Sequence, residues 1–387
     1  VVLSGTNTYT GVTTISAGTL VVGSAAPSGA AGALGNASSA VLLGDTSGSA
    51  NAALVTNGAF AVARNITVQA GSSGTATIGG STAHSSSFTG NVVLNKDVIL
   101  TAVSGGTATF STGVISGSYA LTKTDVGTVV LSGTNTYTGV TTISAGVLRA
   151  TSAAALGAID NGTTVANGAA LELSGGLTFN AEALTLNGTG ISSGGALRNI
   201  SGDNTYVGAI TLGSAARINS DSGTLSLDVA SGDGISGTYG VTFGGAGNVT
   251  VADPIATGTG SLTKDGAGTL TLSGTNTYTG VTTISAGVLS VGTIGDGGVA
   301  GNLGQATSTA SNLVFDGGTL QYTGSTASTN RAFNITAAKT ATIEIVTSGQ
   351  ALTISGNSGG ATTGALTKTG AGTLTLSGTN TYTGVTT

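Results

Sequence analysis

Along most of the chain Leu, Ile or Val alternates with Thr, Ser or Glu for four or five residues, until Gly, Asn, Ser or Asp breaks the run. Thr269-Leu270-Thr271-Leu272, Ala170-Leu171-Glu172-Leu173, Thr224-Leu225-Ser226-Leu227 and Ala341-Thr342-Ile343-Glu344-Ile345 are typical. A period of two puts the apolar side chains on one face and the polar ones on the other, as a half-buried β-strand requires. No apolar stripe at helical spacing is sustained, and the frequent Gly would cost a helix about 1 kcal/mol each. The alanine-rich stretches at 27–32 and 152–157 read as loops. The expected fold class is all-β. Sixteen residues are expected in the core: Leu131, Ile143, Leu148, Leu171, Leu173, Leu186, Leu225, Leu227, Leu270, Leu272, Ile284, Leu289, Leu320, Ile343, Ile345 and Leu374.

Over this short period lies a longer one. L-S-G-T-N-T-Y-T-G-V-T-T occurs four times unchanged, starting at Leu3, Leu131, Leu272 and Leu376. Three copies share a lead-in, Leu121-Thr122-Lys123, Leu262-Thr263-Lys264 and Leu366-Thr367-Lys368, and the first three continue as I-S-A-G. Asn204-Thr205-Tyr206 is a worn copy. The five tyrosines, Tyr9, Tyr137, Tyr206, Tyr278 and Tyr382, are spaced by 128, 69, 72 and 104 residues. Those intervals are too unequal for one supersecondary repeat, and no composition shift marks a domain boundary. A stack in which each coil touches only its neighbours accommodates a motif at any position. A β-solenoid follows, running through residues 1–387 as one continuous segment. Coils of about 23–24 residues give about 16–17 turns, and at ~4.8 Å per turn a rod about 80 Å long.

Composition narrows the function. Only 6% of residues are charged, and 10 Lys and Arg against 15 Asp and Glu leave no basic face for nucleic acid. The absence of Cys excludes disulfides, thiolate nucleophiles and Cys-ligated zinc. The longest apolar runs fall far short of the ~20 residues of a membrane-spanning helix, so no membrane insertion by this segment is expected. The single histidine, His84, sits in a Ser/Thr-rich loop with no acid within ten positions. Asp203, Asp228 and Asp253 are evenly spaced and would align only if the coils had that spacing as their length. The T-x-T runs invite comparison with ice-binding solenoids, but Leu-Glu-Leu and Leu-Ser-Leu replace them elsewhere. No cofactor, metal or catalytic residue is assigned. Lys123, Lys264 and Lys368 read as charges that blunt a strand edge.

The pattern L-T-K-x-G-x-G-T-L-x-L-S-G-x-N-T-Y-x-G-x-T-x-I-x-x-G-x-L resembles the autotransporter-associated β-strand repeat of bacterial autotransporter passengers. The copy at Leu121–Leu148 departs from it at Asp125 and Val126, where Gly and Ala are usual. The resemblance implies a parallel β-helix, a right-handed β-solenoid, serving as a structural rod, the shaft of a fibre or adhesin that is extracellular and attached to the bacterial surface or outer membrane. It brings no catalytic residues. The alternative from another class is a carbohydrate-active β-helix enzyme, for which aromatic content of 4% is low.

The candidate sites are therefore structural: the repeated turns Asn7, Tyr9 and Gly11; Asn135, Tyr137 and Gly139; Asn276, Tyr278 and Gly280; Asn380, Tyr382 and Gly384. Each is expected to form a corner, with the Asn amide bonding local backbone and the Gly allowing positive φ or close approach. Residues 1–14 and 374–387 agree at twelve of fourteen positions. The chain is read as a span of a longer repeat protein cut at both ends. Its expected partners are its own continuation or identical chains stacked end to end, with surface glycans or proteins of a host as further contacts.

Overall fold

The computed structural model describes residues 1–360 and 362–387. Parallel strands stack into about 16 turns of β-solenoid, and the only helices among the described residues are two short 3₁₀ turns, Ile191–Ser193 and Ala310–Asn312. The chain divides into two compact units, Val1–Leu184 and Thr185–Thr387.

Each turn of the first unit has three sides. One ladder joins Thr14–Ile15, Val41–Leu43, Ile66–Val68, Val92–Leu94 and Ile115–Gly117. The second runs from Val2–Leu3 and Gly18–Val22 up to Leu121–Thr124, Thr141–Ile143 and Thr163–Val165. The third includes Ser85–Phe88, Thr107–Phe110, Thr128–Leu131, Val147–Ala150 and Ala170–Ser174. Coil length is not constant. Thr128 pairs with Val147 after a short circuit, whereas Gly18 pairs with Ala52 after a much longer one. The second unit is built alike, with Val241–Gly244, Leu262–Lys264, Thr282–Ile284 and Leu313–Phe315 on one side and Asn248–Val251, Thr269–Leu272, Val288–Val291 and Thr319–Tyr322 on the next.

The two complete motifs fold back on themselves. Leu121-Thr122-Lys123 lies in register with Thr141-Thr142-Ile143, and Leu262-Thr263-Lys264 with Thr282-Thr283-Ile284. The motif is thus one closed coil with its own tail stacked on its head. It does not keep to one side. In the first unit Leu3 lies on the second side and the equivalent Leu131 on the third. In the second unit Leu272 pairs with Val291, but the equivalent Leu376 sits in a separate ladder with Ile354.

Period-two alternation sets the core. Fifteen of the sixteen expected core residues are buried, and Leu374 is half-exposed on the last coil. Each buried Leu contributes about 1.5–3 kcal/mol. Aromatics stack in register too, the rings of Phe88 and Phe110 lying 4.9 Å apart in the first unit. At the strand entries Asx side chains tie coil to coil: Asp97 Oδ1 accepts from Ala120 N at 2.9 Å, and Asn248 Oδ1 from Thr269 N at 2.9 Å. Asp203, Asp228 and Asp253 do not align. Tyr206 pairs with Leu227 and Leu227 with Val251, and this register does not bring the three aspartates opposite one another.

Candidate functional site

The N-T-Y-T-G segment joins two strands and runs beside the preceding coil, to which Thr136 N and Thr138 N donate at Ile115 O and Gly117 O. In the second and third copies the Asn amide is not a local device. Asn135 Oδ1 accepts from Ile115 N (2.9 Å) in the coil before, and its Nδ2 donates to Ala155 O (2.6 Å) in the coil after. Asn276 does the same between Ile255 N and Asn302 O, both at 2.8 Å. In these two copies one buried amide therefore links three successive coils, which corrects the expectation of a local turn bond there. Asn7 Nδ2 reaches Ala33 O at 2.9 Å beside a weaker local contact to Gly5 O at 3.4 Å, and Asn380 Nδ2 makes the expected local bond, to Gly378 O at 3.0 Å.

The tyrosines share one conformation. In all four copies the hydroxyl meets the threonine four residues on: Tyr9–Thr13 at 2.9 Å, Tyr137–Thr141 at 2.7 Å, Tyr278–Thr282 at 2.9 Å and Tyr382–Thr386 at 3.0 Å. Tyr137 and Tyr278 are wholly buried, and burial raises both hydroxyls, Tyr278 to about 12, against the opposing pull of the threonine bonds. Gly139, Gly280 and Gly384 serve close approach: a Cβ on Gly139 would stand 2.1 Å from the Tyr119 carbonyl, and those on Gly280 and Gly384 would be 2.3 and 2.4 Å from the carbonyl oxygens of Gly260 and Gly364. Gly11, in the first coil, has open space around it. The worn copy differs, for Asn204–Tyr206 is a regular strand, with Asn204 bonding Ser201 O.

Three corners dock a short segment of the following coil that ends in Leu-Gly. Gly32-Ala33-Leu34-Gly35, Ala154-Ala155-Leu156-Gly157 and Gly301-Asn302-Leu303-Gly304 each carry a buried Leu. The residue before that Leu accepts from the Asn amide. The residue after the Gly donates to the Tyr carbonyl, through Asn36 N (2.7 Å), Ala158 N (2.9 Å) and Gln305 N (2.7 Å). The Gly adopts positive φ (70°, 86° and 72°) and lies so close to the Tyr that no side chain fits. The stretch from Asn135 to Leu156 is shorter than those from Asn7 to Leu34 and from Asn276 to Leu303, so excursions of different length return to one dock.

The two longer excursions are held from above by a buried arginine. Arg64 donates to Leu34 O (2.6 Å) and, through Nε, to Ser39 O (3.1 Å). Arg331 donates to Gly295 O (3.0 Å) and Gly304 O (2.7 Å), with weaker contacts to Asp296, Val299 and Ala306 carbonyls at 3.4 Å.

The motif lysines point inward, which overturns their reading as edge charges. Lys123 Nζ donates to the carbonyls of Thr124 (2.6 Å), Asp125 (2.7 Å) and Ala145 (3.0 Å), and Lys264 to those of Asp265 (2.6 Å), Gly266 (2.8 Å) and Ala286 (3.1 Å). Burial lowers both ammonium groups to about 8, while the adjacent Asp125 and Asp265 charges pull them back up. They are the third residue of a strand whose first and third positions face the core, and their reach saturates carbonyls of two consecutive turns. Lys368 repeats two of the three bonds, to Thr369 O and Gly370 O.

What these residues do chemically is satisfy backbone. Ion pairs join some of the remaining charges across coils, Arg149 with Glu172 at 2.8 Å, Arg198 with Asp221 at 2.6 Å and Arg217 with Asp265 at 2.7 Å. Buried Glu182, which accepts from Thr163 Oγ1 at 3.1 Å, is raised to about 7 by desolvation. His84 is exposed and bonds Thr82 Oγ1 at 3.0 Å.

Residues 1–22, 121–150, 262–291 and 366–387 match the family described as the passenger-associated-transport-repeat. Over 274 residues the chain is 36% identical to a protein named Adhesin BmaC autotransporter, from Brucella suis biovar 1 (strain 1330). The alignment takes in 70% of this chain and 7% of that relative, so the chain spans a small part of the relative's length. No solved structure matches the chain.

Proposed function

We propose that this chain, whose four passenger-associated-transport repeats mark it as an autotransporter passenger segment, is a structural shaft that carries other parts of a surface protein away from the cell. The observation that carries this reading is where the motif spends its polar groups. The Asn135 amide and the Tyr137 carbonyl bond neighbouring coils, the Lys123 ammonium bonds carbonyls of its own turn and of the next, and the Tyr137 hydroxyl closes on Thr141, so all are spent inside the stack. The relative's name, an adhesin, supports a non-enzymatic role at the cell surface. Under this reading the partners of the segment are further coils of the same kind, with attachment to the outer membrane supplied elsewhere in the protein.

A shaft tolerates loss of a whole coil and not of half a coil. Val241 pairs with Leu262, and Val249 with Leu270. Deleting residues 241–261 joins Gly240 to Leu262 and removes one turn in register. The shortened passenger should still fold, reach the cell surface in a protease-shaving assay and retain whatever binding the intact protein shows. Deletion of 241–251 should abolish folding. Loss of binding in the correctly folded whole-coil deletion would refute the shaft.

A further inference from the structure

The first unit carries one surface feature that the stacking of coils does not explain. Three successive turns line an open groove of about 480 Å³, within the range of small-ligand sites. Tyr119 stands in it, 39% exposed, in a chain where aromatic residues are scarce. Asp97 and Thr75 stand beside it, and Thr122 lies on the adjoining strand. Asp97 Oδ1 is committed to Ala120 N. Among the described residues no hydrogen bond occupies Asp97 Oδ2, the Tyr119 hydroxyl, or the Thr75 and Thr122 hydroxyls.

We propose that this groove is a subsite for a neutral oligosaccharide, with Tyr119 as the stacking platform and Asp97, Thr75 and Thr122 as hydrogen-bonding partners. The argument is one of matched chemistry. A pyranose offers an apolar C–H face and a rim of hydroxyls that donate and accept, and the groove offers a ring face beside an acceptor and three hydroxyls. The lining groups repeat with the coils at ~4.8 Å, close to the length of one hexose unit in an extended glycan. Charge selects among sugars. The Lys96 ammonium, the cation of the groove, is already engaged by the carbonyls of Ser72 (2.7 Å) and Gly74, while Asp97 keeps a free carboxylate oxygen. The Lys96 and Asp97 charges offset one another, so the groove carries no net positive charge to draw a sulfated or carboxylated sugar, whereas a neutral hexose meets an acceptor and hydroxyls.

The groove belongs to the folded chain, so the inference does not depend on the shaft reading, and the test does not use surface display. Maltotetraose, cellotetraose and chitotetraose are titrated into the purified chain by calorimetry, with saturation-transfer NMR to map the sugar protons at the ring. At least one should bind, with saturation strongest on C–H protons of one hexose. Tyr119→Ala should weaken that affinity about ten-fold or more and Asp97→Asn should also weaken it. Tyr239→Ala, which removes an exposed tyrosine of the second unit, should leave it unchanged. Tyr119 and Asp97 are exposed, and circular dichroism verifies that their variants keep the wild-type fold. Absence of binding by all three tetrasaccharides at millimolar concentration overturns the proposal, as does binding that survives Tyr119→Ala.

Discussion

Replacing Arg331 by Met keeps most of the side-chain volume and removes every donor that holds the 292–312 excursion from above. Two of its bonds are well formed, to Gly295 O at 3.0 Å and Gly304 O at 2.7 Å. A hydrogen bond from a charged donor contributes about 1.5–3 kcal/mol, so the two together are worth ~3–6 kcal/mol. The strands on either side, Val288–Val291 and Leu313–Phe315, have their own ladders and do not depend on the guanidinium. The loss should therefore fall on local opening of the loop rather than on global unfolding. At ~1.4 kcal/mol per decade the open population rises at least about 100-fold. The assay is native-state proteolysis with thermolysin, followed by mass spectrometry. The first cut should fall beside Ile294, Val299 or Leu303, at a rate raised by about that factor, with the thermal midpoint little changed. Arg331→Lys, which keeps the charge but not the fork, should be intermediate. Cleavage of the Met variant at the wild-type rate, or a first cut outside the loop, would refute the clamp.

Other predictions follow from the same contacts. Asn276→Ala leaves Ile255 N and Asn302 O without their partner and should cost about 2–4 kcal/mol in denaturant unfolding; a loss under ~0.5 kcal/mol would show that the bridge between coils is ornamental. Gly139→Ala forces a Cβ to 2.1 Å from the Tyr119 carbonyl and should destabilise by about 2–3 kcal/mol, whereas Gly11→Ala, into open space, should be near neutral. Equal effects of the two in thermal melts would mean that close approach is not what the glycine provides. Lys264 holds its proton less tightly folded (about 8) than unfolded (10.5), so between those values the unfolded chain binds more protons and stability rises with pH. Lys264→Met should flatten the rise in denaturation midpoint between pH 8 and 10, and an unaltered slope would contradict the buried ammonium.

Much of the fold is legible from period two alone, because alternation decides which face of each strand is buried and a one-residue slip would expose Leu131, Leu173 or Leu270. Leu374 departs for a reason that alternation does not carry, since it lies on a terminal coil with no following turn over it in the structure. Lys123 shows the limit of reading by residue type. Its position in Leu121-Thr122-Lys123 already places it on the inner face, yet a charge is ordinarily assigned to solvent, and what keeps it inside is three carbonyls whose convergence only the coil geometry creates. The corner residues are visible as repetition, but the reach of Asn135 into two other coils is not, because its partners Ile115 and Ala155 are remote in sequence in either direction. A signal for the dock did exist: Leu-Gly recurs downstream of the motif Asn in three copies, at Leu34-Gly35, Leu156-Gly157 and Leu303-Gly304. Arg64 and Arg331 carry no comparable signature, being single residues whose role depends on excursions of one particular length.

Unequal coil lengths have a consequence for how the repeat can be used. Because the motif moves round by one side between the two copies within each unit, identical sequences face different directions. A bivalent ligand or antibody raised against the motif cannot span two copies of a unit along one straight track, so the chelate gain that a repeated epitope normally offers is lost. Identity of sequence here does not create avidity.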